Sequence, residues 1–185
     1  MKKSTVQRCF FIFLSLITVL FVTTYEPVIY GNDEASIERY IMKKAGLLLE
    51  DHIELLAVED YGNDRIAVFR RETKIPDDVR IVRFRKNEDG NYEVYTPIKS
   101  MHQRYDGSTI WTYFLRGRDD DQEVIYAAWS ENPKLASIHI RFNKQEEQMV
   151  PVTKNPSLTL LKFETASNHF SSRDTYHDAQ GNEVN

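Results

Sequence analysis

The densest group of carboxylates in this chain is a run of aspartates at residues 119–121, followed closely by Glu123. Ca²⁺ takes about six to eight oxygen ligands, so such a run is a candidate calcium site. A calcium loop, however, alternates its ligands with other residues around a central glycine, and this run has neither feature. Arg116 and Arg118 also neutralise the cluster locally. We therefore predict a solvated hairpin tip here and no metal site.

The carboxylates of Asp106, Asp119 and Glu123 are candidates for acid–base catalysis. A hydrolase would need two of them to converge in a cleft, with the pKa of one raised. The sequence contains no nucleophile elbow, phosphate-binding loop or dinucleotide-binding glycine motif, and its 5 histidines show no metal-ligand spacing. We therefore predict that the protein is not an enzyme. A cell-envelope hydrolase that uses paired carboxylates is the alternative.

A third kind of chemistry is binding through aromatic side chains on or beside a sheet. Residues 101–108 lead into the most apolar hairpin of the chain, and loops on a rigid sheet are where binding residues tend to lie. The candidate binding residues here are Tyr105, Asp106, Trp111 and Tyr113. Most of the aromatic side chains are nevertheless expected in the core, because a domain without disulfides needs large apolar groups to pack.

Composition excludes several other classes of protein. The formal net charge is −4 and no basic stripe is present, which argues against a nucleic-acid partner. Cys9 is the only cysteine, so the remainder of the chain has no disulfide and no thiolate ligand. The turn signal that begins at Asp178 also lacks metal-loop spacing. We predict no metal and no cofactor.

The elements that must position these residues are mostly strands. Residues 32–46 predict one amphipathic helix, because Ile37, Tyr40 and Ile41 recur on one face. From residue 51 onward the apolar period changes to two, with turn residues between the runs. The predicted strands are 53–59, 65–71, 79–85, 92–98, 109–116, 123–130, 136–142, 147–152 and 158–164.

This pattern predicts a mainly β fold, an antiparallel β-sandwich or meander of about eight or nine strands with one N-terminal amphipathic helix. Residues 51–185 are predicted to form a single β-rich domain. The hairpin of 109–116 and 123–130 is apolar on both faces, so we expect it to be central and covered on each side. The helix is one possible cover.

The N-terminus adds a prediction about compartment. Residues 9–25 form an uncharged apolar run that follows Lys2, Lys3 and Arg8, which is the layout of an export signal. As a helix the run spans about 25 Å, between the length of a signal peptide and that of a membrane span. Residues 1–31 are therefore either an uncleaved signal-anchor or a signal peptide cleaved before Asn32.

Together these features predict an exported protein whose residues 32–185 are extracytoplasmic. It would be held in the cell membrane through residues 9–25, or secreted if the signal is cleaved. The function expected from them is a non-catalytic binding or accessory module on the outer face of the membrane, which engages a protein or an envelope component.

Overall fold

The two-residue apolar period of the sequence corresponds to β-structure throughout. A computed structural model of the protein describes residues 28–44, 52–71, 78–104, 108–117, 122–165 and 169–184, and within them the chain forms one helix and eleven strands. The helix α1 is Glu34–Lys44. The strands are β1 (Ile53–Tyr61), β2 (Asp64–Arg71), β3 (Val79–Lys86), β4 (Tyr92–Ser100), β5 (His102–Gln103), β6 (Ile110–Arg116), β7 (Glu123–Ser130), β8 (Ser137–Phe142), β9 (Gln148–Pro151), β10 (Ser157–Glu164) and β11 (Ser172–His177). The predicted mainly β fold with one N-terminal helix is confirmed.

The strands form three antiparallel sheets. The first sheet has the order β1-β2-β3-β4, the second β10-β7-β6-β5 and the third β11-β8-β9. Tight turns join β1 to β2 and β3 to β4, where Gly62 and Gly90 have φ values of 63° and 83°. Such positive values are accessible to glycine without steric cost, which is why these positions end the strands.

The three sheets and the helix are stacked in layers, and each interface has its own apolar cluster. The helix packs on the first sheet through Ile37, Tyr40, Ile41, Ala67, Phe69, Val82, Phe84 and Tyr92. The first and second sheets meet through Ile66, Val68, Val79, Ile81, Trp111, Leu115, Ile125, Ala127 and Trp129. The second and third sheets meet through Ile110, Val124, Tyr126, Ala128, Ile138, Ile140, Phe142, Phe163 and Tyr176.

The hairpin of β6 and β7 is therefore central, as its two apolar faces predicted. Trp111 lies opposite Trp129 in the register of this hairpin, and both face the first sheet. The helix does not cover this hairpin, as we had considered. It packs on the far face of the first sheet, and the two faces of the second sheet are covered by the first and third sheets. The physical reason is that β2 and β3 also have two apolar faces, and the outer face needs the helix to exclude water.

Strand β8 of the third sheet alternates between buried and outward-facing side chains. Ile138, Ile140 and Phe142 are buried against the second sheet, whereas His139 and Arg141 lie on the outer face. Strand β11 was missed by the sequence pattern, because its buried positions are the polar Asp174 and Tyr176. A two-residue hydrophobic alternation cannot reveal a strand whose inward side chains are a carboxylate and a phenol.

The apolar N-terminal run, residues 9–25, lies outside the described residues. Within the described residues, no helix is long and apolar enough to span a membrane.

Candidate functional site

The layer between the first and second sheets has an apolar middle and charged ends. At one end, Arg70 of β2 binds Glu131 beyond β7, with 2.5 Å between Nη2 and Oε1. At the other end, Arg83 and Arg85 of the first sheet, which both bind Asp64, form ion pairs with Glu123 of β7. Ion pairs thus tie the two sheets together at both margins of the apolar layer.

The alternation of side chains along β3 determines which sheet its charged residues face. Arg83 and Arg85 lie on the same face of β3 as Ile81, and that face is turned toward the second sheet. Asp64 begins β2 and lies directly opposite Arg85 in the register. The sequence carries a signal for this arrangement, because two arginines interrupt an otherwise inward apolar alternation that starts at Val79.

Arg83 is the most deeply buried charge of the group, with a side chain that is 0% exposed. Its Nη2 donates to Oδ2 of Asp64 at 2.8 Å, and its guanidinium carbon lies 4.8 Å from the centre of the Tyr95 ring. Arg85 stacks on the same ring at 3.9 Å. Nε and Nη1 of Arg83 have no hydrogen-bond partner in the part of the chain that the structure describes. Its single strong anchor is therefore the Asp64 carboxylate.

Asp64 is held in its ionised form by these arginines. Burial by itself raises the pKa of this carboxyl, but the hydrogen bonds from Arg83 and Arg85 outweigh burial and bring the pKa below its ordinary value. Nε of Arg85 donates to Oδ1 at 2.9 Å while Arg83 occupies Oδ2. Both carboxylate oxygens are thus engaged.

Glu123 brings the second sheet into the same network. Nη2 of Arg85 lies 3.3 Å from its Oε2, and Lys162 of β10 binds its Oε1 directly. Nη2 of Arg83 is 3.9 Å from the same carboxylate. Ion pairs with Glu123 therefore connect β3, β7 and β10.

A cleft of about 560 Å³ opens beside this network. Its lining combines the β1–β2 turn with the ends of three further strands and consists of Tyr61, Gly62, Asn63, Asp64, Arg85, Lys86, Glu123 and Lys162. The two carboxylates are already bound by cations. The cleft therefore presents fixed charges, with the exposed Lys86 at its rim, and it is suited to receive an anionic group.

The predicted site residues are not gathered in this cleft, with one exception. Glu123 lines it. Trp111 is 2% exposed and packs between the first and second sheets, so its indole is part of the core. Tyr113 is half-buried, and its ring stacks on His102 with 6.0 Å between the centroids. Tyr105, Asp106 and the aspartates at 119–121 lie outside the described residues.

Among the residues that the structure describes, the geometry around Glu123 does not supply the pair that a carboxylate hydrolase needs. The carboxylate that shares the cations of Glu123 is Asp64, and the pKa of Asp64 is lowered. A general acid requires the opposite shift, since it must hold a proton near neutral pH. Asp64 and Glu123 instead hold the arginine and lysine side chains of the network in place.

A second polar cluster lies between the second and third sheets. The hydroxyl of Tyr126 is 3.0 Å from Oδ2 of Asp174 and 2.6 Å from the hydroxyl of Tyr176, which also binds that carboxylate. Arg104 completes the cluster, with Nη1 at 3.4 Å from Oδ1 of Asp174 and Nη2 donating to its backbone carbonyl at 2.8 Å. Burial raises the pKa of both phenols, and the carboxylate adds to the effect.

This second cluster anchors the start of the loop predicted to bind, because Arg104 belongs to residues 101–108. All three of its other members are buried, so the cluster serves packing between sheets. The open and charged cleft is the better candidate for contact with another molecule. Comparison of the chain with protein-family models, with curated proteins and with solved structures finds no match.

Proposed function

We propose that the protein is an exported, membrane-anchored and non-catalytic binding module whose charged cleft receives an anionic group of a protein or envelope component. The cleft carries this proposal. Its carboxylates are each held by arginine or lysine, and the exposed Lys86 adds a further positive charge to its lining. A pre-arranged set of charges binds without having to reorganise, which reduces the cost of association.

Two features make the binding role a better fit than catalysis. The cleft is bounded by a hairpin turn and strand ends that are held by ion pairs across the two sheets, so its shape is set before a ligand arrives. Its buried carboxyl, Asp64, has a lowered pKa and is committed to the arginines. The hydrolase alternative would need a protonated carboxyl at the same place.

The experiment is site-specific photocrosslinking in membranes. A photoreactive residue at Asn63, on the cleft lining, should give a discrete adduct with an envelope component in the full-length protein, and one at Lys144, on the β8–β9 turn, should not. Lys86→Glu should abolish the adduct at Asn63, whereas the matched exposed change Lys144→Glu should leave it. Adducts of equal yield at both positions would overturn the assignment of the cleft.

Export and catalysis are tested separately. A reporter that is active only after export, fused after residue 185, should be active, and the full-length chain should be recovered with membranes. Purified protein should release no products from cell-wall fragments. Turnover that is lost in Glu123→Gln would replace the binding proposal with the hydrolase alternative.

A further inference from the structure

The residues just before α1 are built into the first sheet. The backbone N–H of Gly31 donates to the carbonyl of Tyr92 at 2.7 Å. The side chain of Asn32 accepts from the Tyr92 N–H at 2.8 Å and donates to Oδ1 of Asn91 at the same distance. Residues 28–32, here called the stem, are therefore tied to the start of β4 by main-chain and side-chain hydrogen bonds.

Arg65 fixes the stem from the other side. Its Nη1 donates to the carbonyls of Gly31 and Asn32 at 3.1 and 2.6 Å. Its Nε and Nη2 bind the two carboxylate oxygens of Asp60 at 2.6 and 2.8 Å, and its guanidinium lies over the ring of Tyr92 at 4.2 Å. A bidentate ion pair of this kind restricts the orientation of the guanidinium, so the carbonyls of the stem are held in turn.

Close packing gives the stem a third constraint. A Cβ atom at Gly31 would lie 2.6 Å from the ring of Phe84, which is buried under the helix. Ile29 packs against the same apolar cluster. The stem thus belongs to the folded domain and is not a flexible tether.

The stem runs back along α1 and ends beside the basic end of the helix. Val28, which is 63% exposed, borders two shallow grooves, and Lys43 lines both of them. Arg39 lines one groove, and Lys44 lines the other together with the acidic Glu93. The exposed acidic residues Glu34 and Glu38 lie nearer the start of the helix.

The predicted membrane segment ends at Tyr25, and only Glu26 and Pro27 separate it from Val28. Three extended residues reach at most about 10 Å. Because the stem is fixed to the sheet, this short connection also limits the orientation of the whole domain. The part of the domain that must lie nearest the bilayer is the end of the stem, with Lys43 and Lys44 next to it.

We propose that the basic end of α1, formed by Arg39, Lys43 and Lys44, docks on the anionic headgroups of the membrane in which the protein is anchored. This inference rests on the proposed membrane anchor and goes beyond it, because it assigns one face of the domain to the lipid surface. Basic residues close to an anionic surface attract it within about a Debye length of 8–10 Å. The fixed stem holds these three residues within that reach.

The test uses lipid-headgroup quenching in the full-length protein. Cys9 is the only cysteine, so Cys9→Ser with Glu38→Cys places one fluorophore on α1, and Cys9→Ser with Lys144→Cys places one on the third sheet. The proteins are reconstituted in vesicles of phosphatidylglycerol and phosphatidylcholine that carry a headgroup spin label. We expect quenching at position 38 to exceed quenching at position 144 several-fold, since two sheet layers of about 10 Å each separate the third sheet from the helix.

Charge reversal then tests the chemistry of the contact. A triple variant with Arg39→Glu, Lys43→Glu and Lys44→Glu should lose most of the quenching at position 38. The protein without these changes should also lose it in vesicles made of phosphatidylcholine alone. The matched reversal Lys134→Glu, Lys144→Glu and Arg173→Glu, on exposed residues of the third sheet and its loops, should leave quenching at position 38 unchanged. Circular dichroism of each variant checks that the fold is retained.

The possible results distinguish a failure of the docking from a failure of the membrane anchor. Equal quenching at positions 38 and 144 would show a tumbling domain and overturn the docking, as would quenching at position 38 that survives charge reversal. Vesicle flotation separates these results from a failure of the anchor itself. A protein that does not float with vesicles, or that is recovered from cells only in a shortened soluble form, overturns both the anchor and the docking that rests on it.

Discussion

Arg83 and Asp64 form an ion pair inside the layer between the first and second sheets, with 2.8 Å between Nη2 and Oδ2. Their side chains are 0% and 7% exposed. Burying two charges is costly, so such a pair is tolerated because each charge compensates the other. The pair therefore lies where the apolar layer ends. Its contribution to stability can be tested by substituting either residue.

Asp64→Ala should destabilise the protein by about 3–5 kcal/mol, because it leaves the guanidinium of Arg83 buried without its main partner. The free energy of unfolding of the detergent-solubilised full chain, measured by urea denaturation, gives the value. Asp89→Ala, on an exposed turn, is the control and should change stability by less than about 0.5 kcal/mol. Adding Arg83→Met to Asp64→Ala should restore part of the loss. A double variant less stable than the single one would show that an unpaired charge is not the cause.

The same carboxyl predicts a loss of stability in acid. The pKa of Asp64 in the folded protein lies below its ordinary value of 3.8, which the unfolded chain retains. Its contribution is therefore complete above about pH 4 and is lost as the pH falls from there toward the native pKa. Urea midpoints measured from pH 6 to pH 3 should fall more steeply for the native protein than for Asp64→Asn. Parallel curves would contradict this assignment.

The buried phenols of Tyr126 and Tyr176 predict a loss of stability in alkali. Burial raises the pKa of both groups above the ordinary value of 10.0, so the folded protein keeps protons that the unfolded chain releases. Their contribution is complete below about pH 10 and is lost as the pH rises above that value, at a limiting slope of about 1.4 kcal/mol per pH unit for each phenol. The measurement is the free energy of unfolding between pH 8 and pH 11.

Tyr126→Phe with Tyr176→Phe should flatten that dependence. The double variant also loses hydrogen bonds to Asp174, so its stability at pH 8 sets an offset, and only the change between pH 8 and pH 11 tests the phenols. An unchanged slope would mean that the two hydroxyls ionise alike in the folded and unfolded states.

Gly31→Ala should destabilise the domain by about 1–3 kcal/mol, because the new methyl group would lie 2.6 Å from the Phe84 ring. The same change made together with Phe84→Leu should cost less, since the smaller side chain leaves room for the methyl group. Thermal unfolding of the four proteins of this double-mutant cycle measures the coupling. Additive effects would indicate that the stem does not pack on Phe84 in solution.

The sequence alone determined which residues form strands and which face of each strand is apolar. The period of two fixes these features locally, because successive side chains of a strand point to opposite faces. Nine strands and the helix were predicted near their observed bounds. The apolar character of both faces of β6 and β7 was also enough to predict a central hairpin.

Tertiary structure alone decided how the strands group into three sheets, what covers each face and which charges meet. The helix could satisfy its apolar face on any exposed sheet, so its position on the first sheet was not encoded in its own pattern. The arginines at inward positions of β3 signal a buried charge, but their partners Asp64 and Glu123 are identified only when β2, β3 and β7 bring them within ion-pair distance. Such ion pairs depend on the distance between sheets, and a linear pattern carries no information about that distance.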